Sequence, residues 1–211
     1  MTLAVTGART SIVQGLLALV PDETVVTIGR RAEDTVQLDL AGAFDVDAVP
    51  VEVDRYVLAA GILYPKPLWQ QGFDETSRSL AVNLTSVVRL CEHVLTHNPR
   101  ARIAIVSSES SRGSYDTTYF LSKVALDAYV EKRRLSAPDQ QLVAVSPTII
   151  MDSGMTQRRD DLDAVAERAR KAPKGRFLRS DEVSRLLHYV LYVDDGTLTN
   201  TVIHQNGGVF A

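Results

Sequence analysis

The 211-residue sequence lacks the features of secreted, membrane-spanning and nucleic-acid-binding proteins. Its only cysteine is Cys91, so no disulfide can form within the chain. It has no apolar run of about 18 residues, and its first residues lack the basic and long apolar regions of a signal peptide. The net charge of -3 gives no strong attraction for nucleic acid or anionic lipid, and the four histidines lack metal-ligand spacing. We therefore expect a cytoplasmic protein with no metal, membrane or nucleic-acid partner.

The composition is sufficient for a well-packed core. Hydrophobic residues make up 45% of the chain and charged residues 23%, values that are ordinary for a globular domain. No internal repeat, low-complexity run or linker divides the sequence. We predict one domain over residues 1–211, with Cys91 as a buried structural thiol.

Short β-branched segments alternate with longer helical ones along the chain. Strands are predicted at residues 3–6, 24–28, 35–38, 56–60, 103–106, 142–145 and 201–204, and the main helices at residues 11–19, 74–97, 117–135 and 180–193. Between the second and fourth strands there is room only for a turn or two of helix, near residues 31–34 and 45–49. This alternation predicts an α/β fold: a Rossmann-type, doubly wound parallel sheet of about seven strands in three α/β/α layers.

A glycine follows the first strand and precedes a helix, in the segment from Thr6 through Gly7 to Arg9. Glycine at such a turn lets backbone approach a pyrophosphate, and a helix N-terminus favours negative charge. Two further glycines of the usual fingerprint are replaced by Ser11 and Val13. The same pattern is therefore also compatible with an ordinary strand-to-helix turn that binds no ligand.

Two arginines, Arg30 and Arg31, follow the second strand where an acid would normally bind the ribose hydroxyls of the non-phosphorylated cofactor. Arginine there can bind a 2′-phosphate with two hydrogen bonds. The residues favour NADP(H) over NAD(H), with a surface arginine pair as the alternative interpretation.

Tyr119 and Lys123 are four residues apart on a predicted helix and so share one face. A fixed positive charge beside a phenol favours phenolate, so we expect Lys123 to lower the tyrosine pKa from about 10 and make it a general acid or base. The fifth strand ends just upstream in Ser107 and Ser108, at the sheet edge where ligands bind. The sequence leaves open which serine is the partner.

These residues, in this order, resemble the classical short-chain dehydrogenase/reductase family over nearly the whole chain. The resemblance implies a catalytic set of Asn83, Ser108, Tyr119 and Lys123. It also implies contacts with the cofactor from a larger set: Gly7, Arg9, Thr10, Ser11, Ile12, Arg30, Arg31, Asp39, Leu40, Ala59, Ala60, Gly61, Tyr119, Lys123, Pro147, Thr148 and Ile150.

The family mechanism then assigns a role to each catalytic residue. The nicotinamide cofactor exchanges hydride with the carbonyl or hydroxyl group of a small organic substrate. Ser108 hydrogen-bonds the carbonyl oxygen, Tyr119 transfers the proton, and Lys123 lowers the tyrosine pKa and holds the nicotinamide ribose. Asn83 positions a water that relays protons to Lys123. The resemblance also implies a homodimer or homotetramer formed through the helices at residues 117–135 and 181–193.

Several positions depart from the family pattern. The segment from Ser11 to Gly15 is similar to that of the divergent enoyl reductases, although their tyrosine and lysine are further apart. Leu58 and Ala59 replace an asparagine pair, and Asp152 replaces a cofactor-binding threonine. Two alternatives therefore stay open: a non-catalytic NADP(H)-binding sensor, and a reductase of activated carbon–carbon double bonds.

The sequence says little about the substrate. Residues 110–118 and 151–177 are expected to line the pocket, and residues 152–174 are expected to form a lid over the strand ends. Tyr115, Met151, Met155 and Phe177 would make that pocket apolar and aromatic. Alternatively, the same side chains pack the lid against the core and do not line a pocket.

Overall fold

A single parallel sheet of seven strands is the centre of the computed structural model, which describes residues 1–112 and 117–209. The strand order is β3-β2-β1-β4-β5-β6-β7, and every neighbouring pair is parallel. The strands are β1 (Thr2–Thr6), β2 (Thr24–Gly29), β3 (Val36–Gln37), β4 (Arg55–Leu58), β5 (Arg102–Val106), β6 (Gln141–Pro147) and β7 (Thr201–Gln205). This confirms the predicted doubly wound Rossmann-type sheet.

The helices connect these strands. They are α1 (Ser11–Leu19), α2 (Phe73–Leu80), α3 (Ser86–His97), α4 (Thr118–Lys132), α5 (Gly154–Gln157), α6 (Leu162–Lys171) and α7 (Ser180–His188). A π-helical turn, Ala81–Thr85, joins α2 to α3, and a second, Tyr189–Val193, extends α7. The described residues contain no helix that is long and apolar enough to cross a membrane.

Each face of the sheet has its own apolar core. Tyr56 and Leu58 of β4 point to the face covered by α3 and α4, where Cys91 is fully buried. Val57, between them, points to the opposite face and packs with Leu16 of α1 and Leu187 of α7. Alternate residues of one strand are thus buried on both sides, as is typical of a central parallel strand.

The region between β2 and β4 is as compressed as the sequence predicts. A 3-10 turn, Val46–Ala48, provides the expected helical material near residues 45–49. The prediction of helix at residues 31–34 is wrong, because the chain makes only a turn in which the Asp34 N–H donates to the Arg31 oxygen at 3.1 Å. The buried Asp34 carboxylate also accepts the Arg31 N–H at 3.0 Å, and this side-chain bond holds the turn without a helix.

Candidate active site

The carboxyl ends of β5 and β6 and the start of α4 meet at one edge of the sheet. Ser107 and Ser108 follow β5 directly, and Tyr119 lies in the first turn of α4. The Thr117 hydroxyl accepts the Phe120 N–H at 3.2 Å, which caps α4 and fixes where the helix begins. The topology therefore brings the serines to the helix that holds the tyrosine. The intervening residues 113–116, including Tyr115, lie outside the described residues.

Lys123 is buried behind the tyrosine, with only 3% of its surface exposed. Its ammonium lies 5.2 Å from the centroid of the Tyr119 ring and donates to the Val106 oxygen at 2.8 Å. This confirms that the two side chains are neighbours. Burial lowers the pKa of Lys123 to about 8, an effect that the Asp127 carboxylate one helical turn away opposes.

The expected lowering of the Tyr119 pKa is not what the structure shows. Burial raises the pKa of Tyr119 to about 12, and a hydrogen bond from Ser108 offsets only part of this rise. Desolvation of the phenolate is thus the dominant influence on the Tyr119 pKa. The phenol therefore keeps its proton at neutral pH in this structure.

The geometry separates the two serines that the sequence could not distinguish. Ser107 is 1% exposed and its hydroxyl donates to the Asp127 carboxylate at 2.5 Å. Ser108 is only half-buried, bonds the Ser110 hydroxyl at 2.6 Å, and is the serine next to Tyr119. Ser108 is therefore the serine beside the phenol, whereas Ser107 binds the helix beneath it. The catalytic role of Ser108 remains a prediction.

Asn83 lies in the π-helical turn between α2 and α3 and is completely buried. Its Oδ1 accepts the Ile62 N–H at 2.9 Å, and its Nδ2 donates to the Ile62 oxygen at 2.8 Å and to Ser79 Oγ at 3.1 Å. The amide therefore pins the segment after β4 against the helix. Its predicted role in positioning a water remains a prediction.

The turn after β1 requires glycine. Gly7 has a φ of +69°, and a Cβ there would lie 2.9 Å from backbone atoms of Ala59 and Ala60. The Thr6 hydroxyl accepts the N–H groups of Ala59 and Ala60 at 3.0 and 3.1 Å. These bonds hold the turn after β4 where the family pattern has an asparagine pair, while Gly61 beyond it approaches Asn83 closely.

The two lost glycines leave the start of α1 intact. Thr10 caps the helix by accepting the Val13 N–H at 3.4 Å, and Ser11 is the first helical residue. Val13 is fully buried and Ile12 nearly so, both in the core between α1 and the sheet. Because both side chains are buried in this core, Ile12 would contact a ligand mainly through its backbone.

The end of β2 is rich in arginine, but its three arginines have different environments. Arg9, from the glycine turn, bonds Asp34 at 3.0 Å and lies 3.5 Å from Glu33. Arg30 and Arg31 are exposed, and neither forms an ion pair with a described residue. Two positive charges at this end of the sheet are thus free for an anion, and the third is largely neutralised.

The remaining predicted cofactor contacts lie at the same sheet edge. Asp39 is exposed and accepts the Ala41 N–H at 3.1 Å, whereas Leu40 is buried in the core. Pro147 ends β6, and the Thr148 N–H donates to the Gln205 oxygen at 3.0 Å. Ile150 is buried and forms a bridge to Leu178.

The Asp152 carboxylate accepts hydrogen bonds from the N–H and the hydroxyl of Ser180, both at 2.8 Å. It therefore caps α7 and is not a free charge at the cofactor site.

The lid side chains favour packing over pocket lining where they are described. Phe177 is 5% exposed and packs with Val165 and Ala169 of α6, with Met151 against the same cluster. Met155 is 37% exposed. The structure thus gives the lid a small apolar core of its own.

Sequence reasoning missed four polar residues beside the serines: Asp127, Glu109, His204 and Asn206. Asp127 is four residues after Lys123, so helical spacing alone could have found it. Glu109 contacts His204 and Asn206 at sequence separations of 95 and 97 residues, and no local pattern signals such pairs.

Comparison with known families identifies the family and agrees with the fold. A family model described as "Enoyl-(Acyl carrier protein) reductase" matches residues 34–210. The chain belongs to the classical short-chain dehydrogenase/reductase family. This short-chain dehydrogenase/reductase is therefore an oxidoreductase. The match begins after the glycine turn, so the turn's departures from the family pattern lie outside the matched residues.

Solved structures agree in fold over almost the full length. A "Short-chain dehydrogenase/reductase SDR:Glucose/ribitol dehydrogenase" from Brucella melitensis is 23% identical with a TM-score of 0.87, covering 100% of this chain and 96% of that one. A Burkholderia cenocepacia J2315 short chain dehydrogenase in complex with NADP is 20% identical, with a TM-score of 0.81 and coverage of 99% and 97%. Thermoplasma acidophilum aldohexose dehydrogenase is 19% identical, with a TM-score of 0.83 and coverage of 99% and 93%. Comparison with curated protein sequences gave no match.

Proposed function

We propose that this short-chain dehydrogenase/reductase transfers a hydride between NADP(H) and the carbonyl or hydroxyl group of a small organic substrate. The observation that supports this most directly is the contact between Ser108 and Tyr119, with buried Lys123 behind the phenol. A hydroxyl donor and a protonated phenol side by side can bind one carbonyl oxygen from two directions. A protein that only binds nucleotides has no need of this pair.

The chain's own residues handle orientation and the proton. Bound NADPH supplies the hydride. Ser108 donates a hydrogen bond to the carbonyl oxygen, and Tyr119 gives it a proton as negative charge develops there. The Lys123 ammonium, 5.2 Å from the ring, stabilises the phenolate that remains. To restore the starting state, Lys123 passes a proton back to the phenolate and regains one from solvent through a water. Asn83 positions this water and keeps the segment after β4 in place.

The residues that follow β1 and β2, at the same sheet edge, are compatible with a dinucleotide. Gly7 brings the backbone turn close to β4, and α1 begins just beyond it with no acidic residue in its first turn. An anion beside this helix N-terminus therefore meets no repulsion. Exposed Arg30 and Arg31 favour the 2′-phosphate of NADP(H), in line with the NADP complex of the Burkholderia structure.

A direct test of the catalytic assignment is Tyr119→Phe, which removes only the phenolic hydroxyl. We expect kcat for ketone reduction to fall about 10²- to 10⁴-fold, the usual contribution of a positioned general acid. Tyr192→Phe is the matched control, since the Tyr192 hydroxyl has no hydrogen-bond partner among the described residues. Full activity in Tyr119→Phe, with a robust wild type, would show that another group donates the proton.

The cofactor assignment is tested by binding. Calorimetric titration should show tighter binding of NADPH than of NADH. Arg30→Ala or Arg31→Ala should weaken NADPH binding about tenfold or more while leaving NADH nearly unchanged, because a charge-assisted bond contributes roughly 1.5–3 kcal/mol. Arg100→Ala is the control, since this exposed arginine precedes β5 at the opposite sheet edge. Equal affinity for both cofactors in the wild type would refute the preference.

Reduction of an activated carbon–carbon double bond is a second candidate. The description of the matching family model favours it, whereas the four-residue spacing of Tyr119 and Lys123 favours carbonyl chemistry. Incubation with an α,β-unsaturated ketone and NADPH separates the two. An allylic alcohol as the product supports carbonyl reduction, and a saturated ketone supports the alternative.

The proposed assembly is a homodimer or homotetramer. Leu121 and Val124 of α4 are 44% and 40% exposed, and Tyr189 and Val193 after α7 are 47% and 60% exposed. Exposed apolar side chains grouped on one element often mark an interface. Light scattering after size exclusion should give two or four times the 23.1 kDa chain mass; a single monomer mass would contradict the assembly.

A further inference from the structure

The residues on both sides of Ser108 are anchored by their side chains to different elements. Ser107 donates to the Asp127 carboxylate of α4 at 2.5 Å. Glu109 reaches across to the end of β7, where it contacts His204 and Asn206. The residue before Ser108 is thus anchored to α4, which holds Tyr119, and the residue after it is anchored to the end of β7.

The Glu109 clamp, defined as Glu109, His204 and Asn206, is built around a buried carboxylate. Glu109 is 1% exposed. One carboxylate oxygen pairs with His204 Nδ1 and the other accepts from Asn206 Nδ2 at 2.8 Å, with the Arg112 guanidinium 3.7 Å away. A buried carboxylate is costly unless both oxygens have such partners. The partners therefore determine where Glu109 can lie.

The strand end that supplies these partners is paired with the sheet. His204 pairs with Ser146 in the β6–β7 ladder, and the neighbouring Gln205 pairs with Pro147. Asn206 is itself fixed, because its Oδ1 accepts the Gly208 N–H at 2.9 Å. The clamp thus attaches the turn after β5 to residues that are themselves held in place by the sheet.

We propose that Glu109 is a positioning residue for Ser108, and that His204 and Asn206 hold it in place. The proposal rests on the proposed carbonyl chemistry, in which Ser108 must face Tyr119. Glu109 and Ser108 are adjacent in the chain, and Ser108 caps the 3-10 turn Glu109–Ser111 by accepting the Ser110 N–H. A shift of the Glu109 carboxylate therefore rotates the turn and moves the serine hydroxyl away from the phenol.

The decisive variants are His204→Ala and His204→Asn. Alanine removes the donor at Nδ1, whereas the Nδ2 of asparagine is at the same number of bonds from the backbone and restores a donor. His97→Ala is the matched control, because His97 is exposed on α3 and its Nδ1 contacts only the His93 oxygen of its own helix. Thermal unfolding of each variant checks that the fold is retained.

Amide hydrogen exchange of a peptide covering residues 107–112 tests the anchor without any need for activity. We expect His204→Ala to speed the exchange of this peptide about tenfold or more, reflecting local opening. Exchange in His204→Asn and His97→Ala should match the wild type. Unchanged exchange in His204→Ala would overturn the proposal.

Steady-state kinetics test the consequence for Ser108. In His204→Ala, kcat for ketone reduction should fall about 10- to 100-fold, because displacement by about 1 Å can cost that much. The affinity for NADPH, measured by calorimetry, should stay the same, and His204→Asn should recover most of kcat. Faster exchange with unchanged kcat, or loss of kcat that asparagine does not rescue, would overturn the positioning role.

Failure of the proposed function gives a different result. If wild-type protein binds NADPH but reduces no carbonyl substrate, the proposed reaction is wrong, and the positioning role falls with it. If wild-type turnover is robust and only the His204 results disagree, the reaction stands and the Glu109 clamp is merely structural.

Discussion

The Lys123 ammonium donates its hydrogen bond to the Val106 oxygen, the last carbonyl of β5, at 2.8 Å. This bond ties the helix that holds Tyr119 to the strand that leads into Ser107 and Ser108. Lys123 is also deeply buried, with only 3% of its surface exposed. The bond therefore positions the site, while burial makes the lysine charge sensitive to pH in the physiological range.

The rate of carbonyl reduction should decline as the pH rises through about 8. Burial lowers the pKa of Lys123 to about 8, so its charge is present below that pH and lost above it. Tyr119, whose pKa is raised to about 12, keeps its proton throughout. The decline thus reports loss of the ammonium that stabilises the phenolate. Measuring kcat/KM from about pH 6 to 10 checks this; a profile without a limb near pH 8, in a fully folded enzyme, would contradict it.

Removing the Lys123 charge should stabilise the fold at neutral pH. The folded pKa of Lys123 lies at about 8, below the unfolded value of 10.5, so unfolding takes up a proton between these values. The cost of keeping the charge buried is about 3 kcal/mol at low pH and disappears as the pH rises toward 10.5.

Lys123→Met should therefore unfold at a higher urea concentration than wild type at pH 7. The loss of the bond to Val106 reduces this increase in the free energy of unfolding. The increase should be smaller at pH 10, where the wild-type lysine is largely neutral. Titrating groups that do not interact with Lys123 cancel in this comparison, whereas Asp127 does not, because its pKa depends on the lysine charge. If the difference in unfolding free energy between the variant and wild type is the same at every pH, the pKa of Lys123 is not lowered by folding.

Gly7→Ala should destabilise the protein and abolish dinucleotide binding. Alanine at a φ of +69° costs roughly 1–2 kcal/mol. Its Cβ would also lie 2.9 Å from the backbone of Ala59 and Ala60, which can move only by distorting the turn after β4. Gly42→Ala is the control, because nothing lies within 4 Å of its added Cβ. Urea unfolding and NADPH titration of both variants check this, and equal behaviour of the two would show that the turn adapts.

The contact between α1 and α7 should be equally sensitive to one methyl group. A Cβ on Gly15 would lie 2.5 Å from the Ser184 hydroxyl, which donates to the Ile12 and Ser180 oxygens. Gly15→Ala should cost about 1–3 kcal/mol of overpacking. Adding Ser184→Ala should recover part of this, which a double-mutant cycle in urea measures. Strict additivity would mean that the helices move apart instead.

Local residue patterns predict the elements of this fold well. Strands such as 103–106 are apolar throughout and mostly β-branched, and the helix Ser11–Leu19 is found at its predicted bounds. Tyr119 and Lys123 are predictable as neighbours because helical periodicity depends only on their spacing. The π-helical turn at Asn83 is different, because the Ile62 backbone that satisfies its amide comes from another element.

The sequence by itself determined the order of strands and helices, the glycine at the first turn and the shared face of the phenol and the amine. Each of these follows from backbone geometry within a few residues. Only the tertiary structure decided that Ser108 faces the phenol, that Glu109 is clamped to β7, and that burial raises the pKa of Tyr119. Those outcomes depend on which residues, distant in sequence, contact a side chain and bury it from water. The spacing of residues in the sequence does not indicate which these are.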